Sequence, residues 1–214
     1  MATRAPINDH ETRQRLLQVA ERLFAERGFE NVTVRDICSE ASANVAAVNY
    51  YFRDKWALYL EVIQKNVEFS KQMSDLAHDA GPNKSPEQRL RHYIRTVLQH
   101  ILKEGESWQG QLMAREMAEP TAALDVVFEQ AIRPNAERVL ALVAEIMGLP
   151  ASDPRVGACV GSIQTQIFGL VNPIARRFTP EFTPEMIEAI ARHIAEFSLG
   201  GIRALVASTS GSRV

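Results

Sequence analysis

Hydrophobic residues recur along this chain with a helical period almost everywhere and with a strand period nowhere. Between Asp9 and Arg27, residues Leu16, Leu17, Ala20, Leu23 and Phe24 fall at i, i+1, i+4, i+7 and i+8, one stripe of an amphipathic helix that Gly28 ends. Thr33, with Asp36 three residues on, reads as a capping box opening a short helix to about Ala41, with Val34 and Ile37 inward. The stretch Ala41-Ser-Ala-Asn44 then breaks the pattern, and Asn44 is placed to cap a third helix from Val45 to about Tyr51. From Asp54, residues Trp56, Tyr59, Leu60, Ile63 and Val67 line one face of a long helix over about 54–79, which Ala80-Gly-Pro-Asn-Lys-Ser-Pro86 ends.

The helical period resumes over Pro86–Leu102, Trp108–Met117 and Thr121–Met147, where Pro134 has no N–H for the preceding turn and must kink or divide the last segment. Gly148 to Pro154 is a break. An uncharged helix to about Arg176 follows, then a closing helix bearing Met186, Ile187, Ile190, Ile194, Phe197 and Ile202. The pattern predicts an all-α fold: an N-terminal three-helix helix-turn-helix domain over residues 1–55, joined through the long helix to a helical regulatory and dimerisation domain over 56–208, with a mobile polar tail at 209–214.

Composition narrows the class. With 46% hydrophobic and 23% charged residues in 214, the chain can bury a core, and disordered or collagen-like readings fall away. Two lone cysteines, Cys38 and Cys159, suit a reducing compartment, and the first residues lack the apolar run of a signal peptide, so a cytoplasmic protein is expected. Val156–Ala175 carries no charge and contains Gly157-x-x-x-Gly161, a spacing used by membrane helices. However, Ser162, Gln164, Thr165, Gln166, Asn172 and Pro173 would be costly in lipid, so the segment reads as a helix buried against protein, with no membrane partner. No nucleophile elbow, HExxH, phosphate loop or dinucleotide fingerprint occurs, and the histidines are scattered at 10, 78, 92, 100 and 193; an enzyme, a metal or a cofactor is not expected.

Chemistry concentrates in Thr33 to Tyr59. A short helix, a turn and a second short helix carrying Asn44, Ala47, Asn49, Tyr50 and Tyr51 outward is the pattern in which the second helix enters a DNA major groove. Ala43, Ala46 and Ala47 keep that helix slim, asparagine can read adenine with two hydrogen bonds, and tyrosine hydroxyls suit phosphates or bases. RGFENVTVRDI, then the run Asn44-Val-Ala-Ala-Val-Asn-Tyr-Tyr-Phe52, then Asp54-Lys55 before a long helix, resembles the DNA-binding domain of TetR/AcrR-family transcriptional regulators over about residues 9–60. The resemblance implies that Phe52 belongs to the small core and that Lys55 touches a phosphate. It makes Thr33 and Arg35 backbone or flanking contacts, and Asn44, Val45, Ala47, Asn49, Tyr50 and Tyr51 the recognition set. Ser42 stands where the family usually has glycine, at a turn that can demand a left-handed backbone. Residues 1–60 hold eight basic and eight acidic side chains, so nonspecific attraction to DNA is expected to be modest, with placed cations such as Arg4, Arg35 and Lys55 and helix N-termini carrying the phosphate contacts.

LMAREMAEPTAALDVVFEQAIRP and the following ERVLALVAEIMG resemble the ligand-binding domain of the CecR branch of that family. This implies a helical interior that takes a small-molecule effector and two last helices that pair with those of a second subunit. Polar groups within apolar helices are the candidate ligand contacts: His92, His100, Gln111, Arg115, Glu116, Gln164, Gln166 and Asn172, with Trp108, Met113, Met117 and Phe168 as walls. Arg115 beside Glu116 equally fits an internal ion pair. Gly157, Gly161, Ile187, Ile190, Ile194 and Phe197 are the candidate homodimer interface, since two such helices offer more apolar surface than one domain leaves exposed. The expected function is a sequence-specific transcriptional regulator, a homodimeric repressor released from a pseudo-palindromic operator by a small molecule, with the long helix as the lever; the alternative is a DNA-binding protein with no small-molecule effector.

Overall fold

In the computed structural model of the protein, which describes residues 9–103, 107–171, 177–179 and 181–211, the periodic stretches fold as helices, and no strand occurs among those residues. In chain order they are α1 (Asp9–Arg27), α2 (Val34–Glu40), α3 (Val45–Phe52), α4 (Lys55–His78), α5 (Pro86–Lys103), α6 (Trp108–Ala118), α7 (Leu124–Val127), α8 (Arg133–Met147), α9 (Pro154–Gly169) and α10 (Pro184–Gly211). The all-α expectation is met. Pro134 divides its segment as required: a π-helix over Phe128–Ile132 precedes α8, and the proline falls in the first turn of α8, where its missing N–H is not needed. The uncharged helix ends at Gly169 rather than near Arg176; residues 172–176, which include the candidate Asn172, and residue Arg4 lie outside the described residues. The last helix continues to Gly211, past the point where the polar composition suggests a tail.

The chain forms two compact units, Met1–Phe69 with Glu106–Gln130, and Ser70–Gly105 with Ala131–Val214. The first therefore holds α6 and α7 together with the three N-terminal helices. Its core is Leu16, Leu23, Phe24, Ile37, Val48, Leu58, Ile63 and Leu112, all at most 1% exposed. Phe29, Trp56 and Tyr59 form a ring cluster beside Phe24, with centroids 4.8–5.7 Å apart among the three and 5.0 Å from Phe24 to Tyr59. Glu21, 5% exposed, is paired with Lys65 Nζ at 2.7 Å.

The second unit packs the end of α4 with α5, α8, α9 and α10 around Leu90, Tyr93, Ile94, Leu98, Val139, Val143, Val156, Ile163, Ile167, Ile187, Ile194 and Leu199. Glu87–Arg203 and Arg95–Glu188 at 2.6 Å, with Arg91–Glu196 between them, pair α5 to α10 with partner numbers falling as α5 advances, so the two helices run antiparallel. Exposed pairs of this kind fix register more than they stabilise.

Inside this unit a polar cluster joins four helices, α4, α5, α8 and α9. Asn135 Nδ2 and Gln164 Nε2 donate to the Tyr93 hydroxyl at 3.2 and 3.1 Å, and Asn135 Oδ1 accepts from Ser74 Oγ at 3.0 Å and lies 3.1 Å from His78 Nε2. Burial holds the His78 imidazole below its ordinary value of 6.5; Arg138 lowers it further, while Asn135 and Asp75 oppose. Neutral His78 is thus the form the fold prefers, and the unfolded chain binds more protons below about pH 6.5. Stability from this site is complete above that value and is lost as pH falls through it. Urea midpoints measured from pH 7.5 down to 5.5 are expected to fall more steeply for the native protein than for His78→Gln, which keeps an amide donor for Asn135 but does not titrate. Parallel curves would refute the assignment.

Candidate nucleic-acid interface

The helix-turn-helix is built by its caps. Thr33 Oγ1 accepts from the Asp36 amide at 3.1 Å and Asp36 Oδ2 accepts from the Thr33 amide at 2.9 Å, the reciprocal box predicted from the sequence. Asn44 Oδ1 accepts from the Ala46 amide at 2.9 Å and starts α3. Between them Ser42 takes φ +50°, the left-handed backbone for which glycine would be cheaper, and the Ala43 amide closes the turn on Cys38 O at 2.9 Å. The departure from the family pattern is therefore absorbed as local strain, without loss of the turn. Arg53, at φ +75°, ends α3, and Asp54 caps α4 through the Ala57 amide at 2.7 Å.

α3 buries Val48 and Phe52 and turns its other side outward. Asn44, Val45, Asn49 and Tyr50 are exposed, Tyr50 at 75%, while Ala47 and Tyr51 are half-buried. The side chains of Asn49 and Tyr50 and that of exposed Arg35 have no hydrogen-bond partner among the described residues. The predicted recognition residues thus share one exposed side of one helix. Four predicted contacts have internal work instead. Thr33 and Asn44 spend their side-chain oxygens on caps. Lys55 Nζ donates to Phe29 O at 2.9 Å and Val32 O at 3.0 Å and sits 4.1 Å from the Phe29 ring centre, so its ammonium closes the loop before α2 rather than standing free for a phosphate. Tyr51, for its part, donates its hydroxyl to Asp9, a residue that no sequence pattern singles out.

A second arrangement in the same unit surrounds Arg115. Its Nε donates to Ala25 O at 3.2 Å and its Nη2 to Glu26 O at 3.0 Å, at the carbonyl end of α1 where the helix dipole favours a cation. Gly28 at φ +79° follows, a backbone that favours glycine, and a Cβ there would lie 3.3 Å from Arg115 Cδ, close enough to make that side chain shift. Glu116, 1% exposed, accepts from the Tyr59 hydroxyl at 2.5 Å and from the Thr121 amide and hydroxyl at 2.8 Å each. Burial first, then this bond, push the Tyr59 phenol well above its ordinary range. Arg115 pairs with Glu119 at 3.2 Å, not with Glu116, so the adjacent pair read from the sequence does not form. Both residues do line a cavity of about 560 Å³, together with Gly28, Phe29, Glu30, Asn31, Trp56, Tyr59, Glu119, Pro120, Thr121 and Ala122.

The remaining candidate ligand residues do not converge there. Trp108, Gln111 and Met113 belong to the first unit without lining this cavity; His92, Gln164 and Phe168 belong to the second. Within that second unit His92 Nε2 lies 3.0 Å from Leu76 O, Gln164 joins the Tyr93 cluster and Phe168 is 50% exposed. The interface candidates also divide. Gly157, Gly161 and Phe197 are exposed, Phe197 at 66%, but Ile187 and Ile194 face the core at 1% and 4% and Ile190 packs against it. They fill the unit's own interior because the apolar stripe of α10 is shared between that core and one exposed side. That exposed side carries Phe197 and Leu205 beside α9, above a groove of about 170 Å³ lined by Ala158, Cys159, Ser162, Ile163, Gln166, Ser198, Gly201 and Ile202. No helix among the described residues is long and apolar enough to cross a membrane.

Comparison with known proteins bears on both units. Residues 16–62 match the family model described as bacterial regulatory proteins, tetR family, and residues 86–202 match that of the C-terminal domain of the HTH-type transcriptional dual regulator CecR. The HTH-type transcriptional dual regulator CecR of Shigella flexneri is 28% identical over 197 residues, covering 86% of this chain and 88% of its own. A probable acrEF/envCD operon repressor of Escherichia coli is 29% identical over 103 residues, covering 48% and 46%. Among solved structures, a TetR-family transcriptional regulator from Streptomyces coelicolor superposes with a TM-score of 0.67 at 21% identity, covering 90% of each chain, which speaks for the fold.

Proposed function

Because the chain belongs to the TetR family and carries a CecR-type C-terminal domain, and so is a DNA-binding transcriptional regulator, we propose that it acts as a homodimeric repressor that reads a pseudo-palindromic operator and releases it when a small molecule binds. The observation that carries the reading is the exposed side of α3: Val45, Asn49 and Tyr50 are exposed on a helix anchored from behind by Val48 and Phe52. Residues 1–55 serve as the reading module and 56–208 as the regulatory and dimerisation region.

The balanced charge of residues 1–60 makes nonspecific attraction weak, so affinity must come from placed contacts: base edges at Asn49 and Tyr50, phosphates at Arg35 and at the amides of the helix termini. For the effector, the cavity of about 560 Å³ is of a size that suits a small molecule, and its wall includes Gly28 to Asn31, the turn that leads into α2. A ligand there changes operator affinity only by the difference in its own affinity for the two states of that turn, about 1.4 kcal/mol for each tenfold.

Binding-site selection from random duplex DNA at two salt concentrations, with Tyr50→Ala in parallel, tests the proposal. A two-fold-symmetric site is expected. Tyr50→Ala is expected to weaken binding to that site by about 1–3 kcal/mol, roughly 5- to 150-fold, with its unfolding midpoint unchanged. A native protein that enriches no site, or enriches an asymmetric one, would overturn it.

A further inference from the structure

The end of α3 holds an arrangement that the reading above leaves unused. The Tyr51 hydroxyl donates to Oδ1 of Asp9, the first residue of α1. The direction of this bond is fixed, because an ionised carboxylate has lone pairs but no proton to give. The ring is held as well: Tyr50 meets it edge-on with centroids 4.9 Å apart, and Phe52, buried in the core, lies 6.2 Å away on the same helix. The side chain is therefore oriented before any DNA arrives, with its only polar proton turned towards the protein. The bond to Asp9, with smaller contributions from burial and from Asp9 and Tyr50 as charges, raises the phenol from 10 to about 12, so the proton stays on the oxygen at any pH where the protein works.

This polarity decides what the tyrosine can recognise. A free tyrosine hydroxyl can donate to a phosphate oxygen or to the keto oxygens of guanine and thymine. Here the oxygen keeps lone pairs alone, and the neighbouring carboxylate adds more acceptors and a negative charge that repels phosphate. In the major groove the partners for acceptors are the exocyclic amines, N6 of adenine and N4 of cytosine. We infer that Asp9 and Tyr51 form an acceptor pair that selects an amine-bearing base, adenine or cytosine, at one position of each operator half-site. Asp9, outside the helix-turn-helix, is then a specificity-determining residue, because it sets the polarity of Tyr51. The inference rests on the operator-reading function proposed above.

Full-length protein and the variants Tyr51→Phe, Asp9→Ala and Asp9→Asn are carried through binding-site selection, followed by affinities for the selected duplex and its single-base substitutions at two salt concentrations. The native protein is expected to require adenine or cytosine at one symmetric position and to lose about tenfold or more when it becomes guanine or thymine. Tyr51→Phe should flatten that preference to within about threefold while leaving other positions unchanged. Asp9→Ala frees the proton and should move the preference towards the keto bases, whereas Asp9→Asn, whose amide oxygen still accepts the proton, should keep it nearer to native. Uniform weakening at all positions with a shallower salt dependence would make Tyr51 a phosphate contact and overturn the inference. A changed unfolding midpoint with unchanged sequence preference would reduce the bond to a tie between α1 and α3, and overturns it equally. If the native protein selects no site, the operator reading itself has failed, and this inference falls with it.

Discussion

Phe52→Ala is expected to lower the unfolding free energy by about 3–5 kcal/mol, the range for truncating a buried phenylalanine whose site cannot collapse. Phe52 is the last residue of α3 and 6% exposed, with the Arg13 guanidinium 5.1 Å from its ring centre. Arg13 on one side of the ring is itself bonded to Glu61 at 2.5 Å, which limits how far it can move into the space the ring leaves. The loss should appear in urea unfolding as a lower midpoint with an unchanged slope. Phe52→Leu should recover part of the loss, because it restores apolar volume. Operator binding should fall in proportion to the unfolded fraction and return when the protein is stabilised by lower temperature or osmolyte. A loss below about 1 kcal/mol would mean that α3 is not anchored through this ring, and the exposed side of the helix would have to be reassigned.

The features legible in the sequence were those that local chemistry fixes. The Thr33–Asp36 box, the Asn44 cap and the glycine after α1 each involve residues within a few positions of one another, where backbone geometry leaves few choices, while the left-handed turn at position 42 was implied by the family resemblance. The helix-turn-helix pattern also pointed Asn49 and Tyr50 outward, and both are exposed. What could not be read were the partners of each apolar stripe. Residues 108–118 show the same kind of periodicity as any amphipathic helix, and nothing in it says that Arg115 reaches the carbonyls of Ala25 and Glu26 about ninety positions away.

Lys55 illustrates the same limit in a single side chain. A lysine beside a recognition helix suggests a phosphate, but its long stem lets the ammonium turn inward to two carbonyls and an aromatic face. Ile187 and Ile194 mislead for a related reason: an isoleucine stripe marks a buried face without saying whether the burial is within one chain or between two.

Phe197→Asp is expected to separate the proposed homodimer while leaving the folded chain intact. The ring is 66% exposed, and Phe168 and Leu205 on the same pair of helices are 50% and 41% exposed, a density of large apolar side chains that a monomer surface rarely carries. A Cβ on Gly157, Gly161, Gly200 or Gly201 would meet nothing within 4 Å, so these glycines are not required by packing inside the chain and leave room for another helix. The groove beside Phe197 is lined almost wholly by apolar atoms, which suits a ring from a two-fold-related copy, because an isologous contact presents knob and groove on both partners. Burying a carboxylate there without a cation should cost at least as much as losing a central aromatic anchor, about 2–4 kcal/mol, which is roughly a 30- to 1,000-fold weaker dimer. Sedimentation at micromolar concentration should show the native protein at twice the mass of the chain and the variant at one. The unfolding curve of the second unit should gain a concentration dependence in the native protein that the variant lacks. Operator affinity should fall steeply as well, since two tethered half-site contacts become two independent ones. A variant that remains dimeric and binds its operator at native strength would remove α9 and α10 from the interface and leave their exposed rings unexplained.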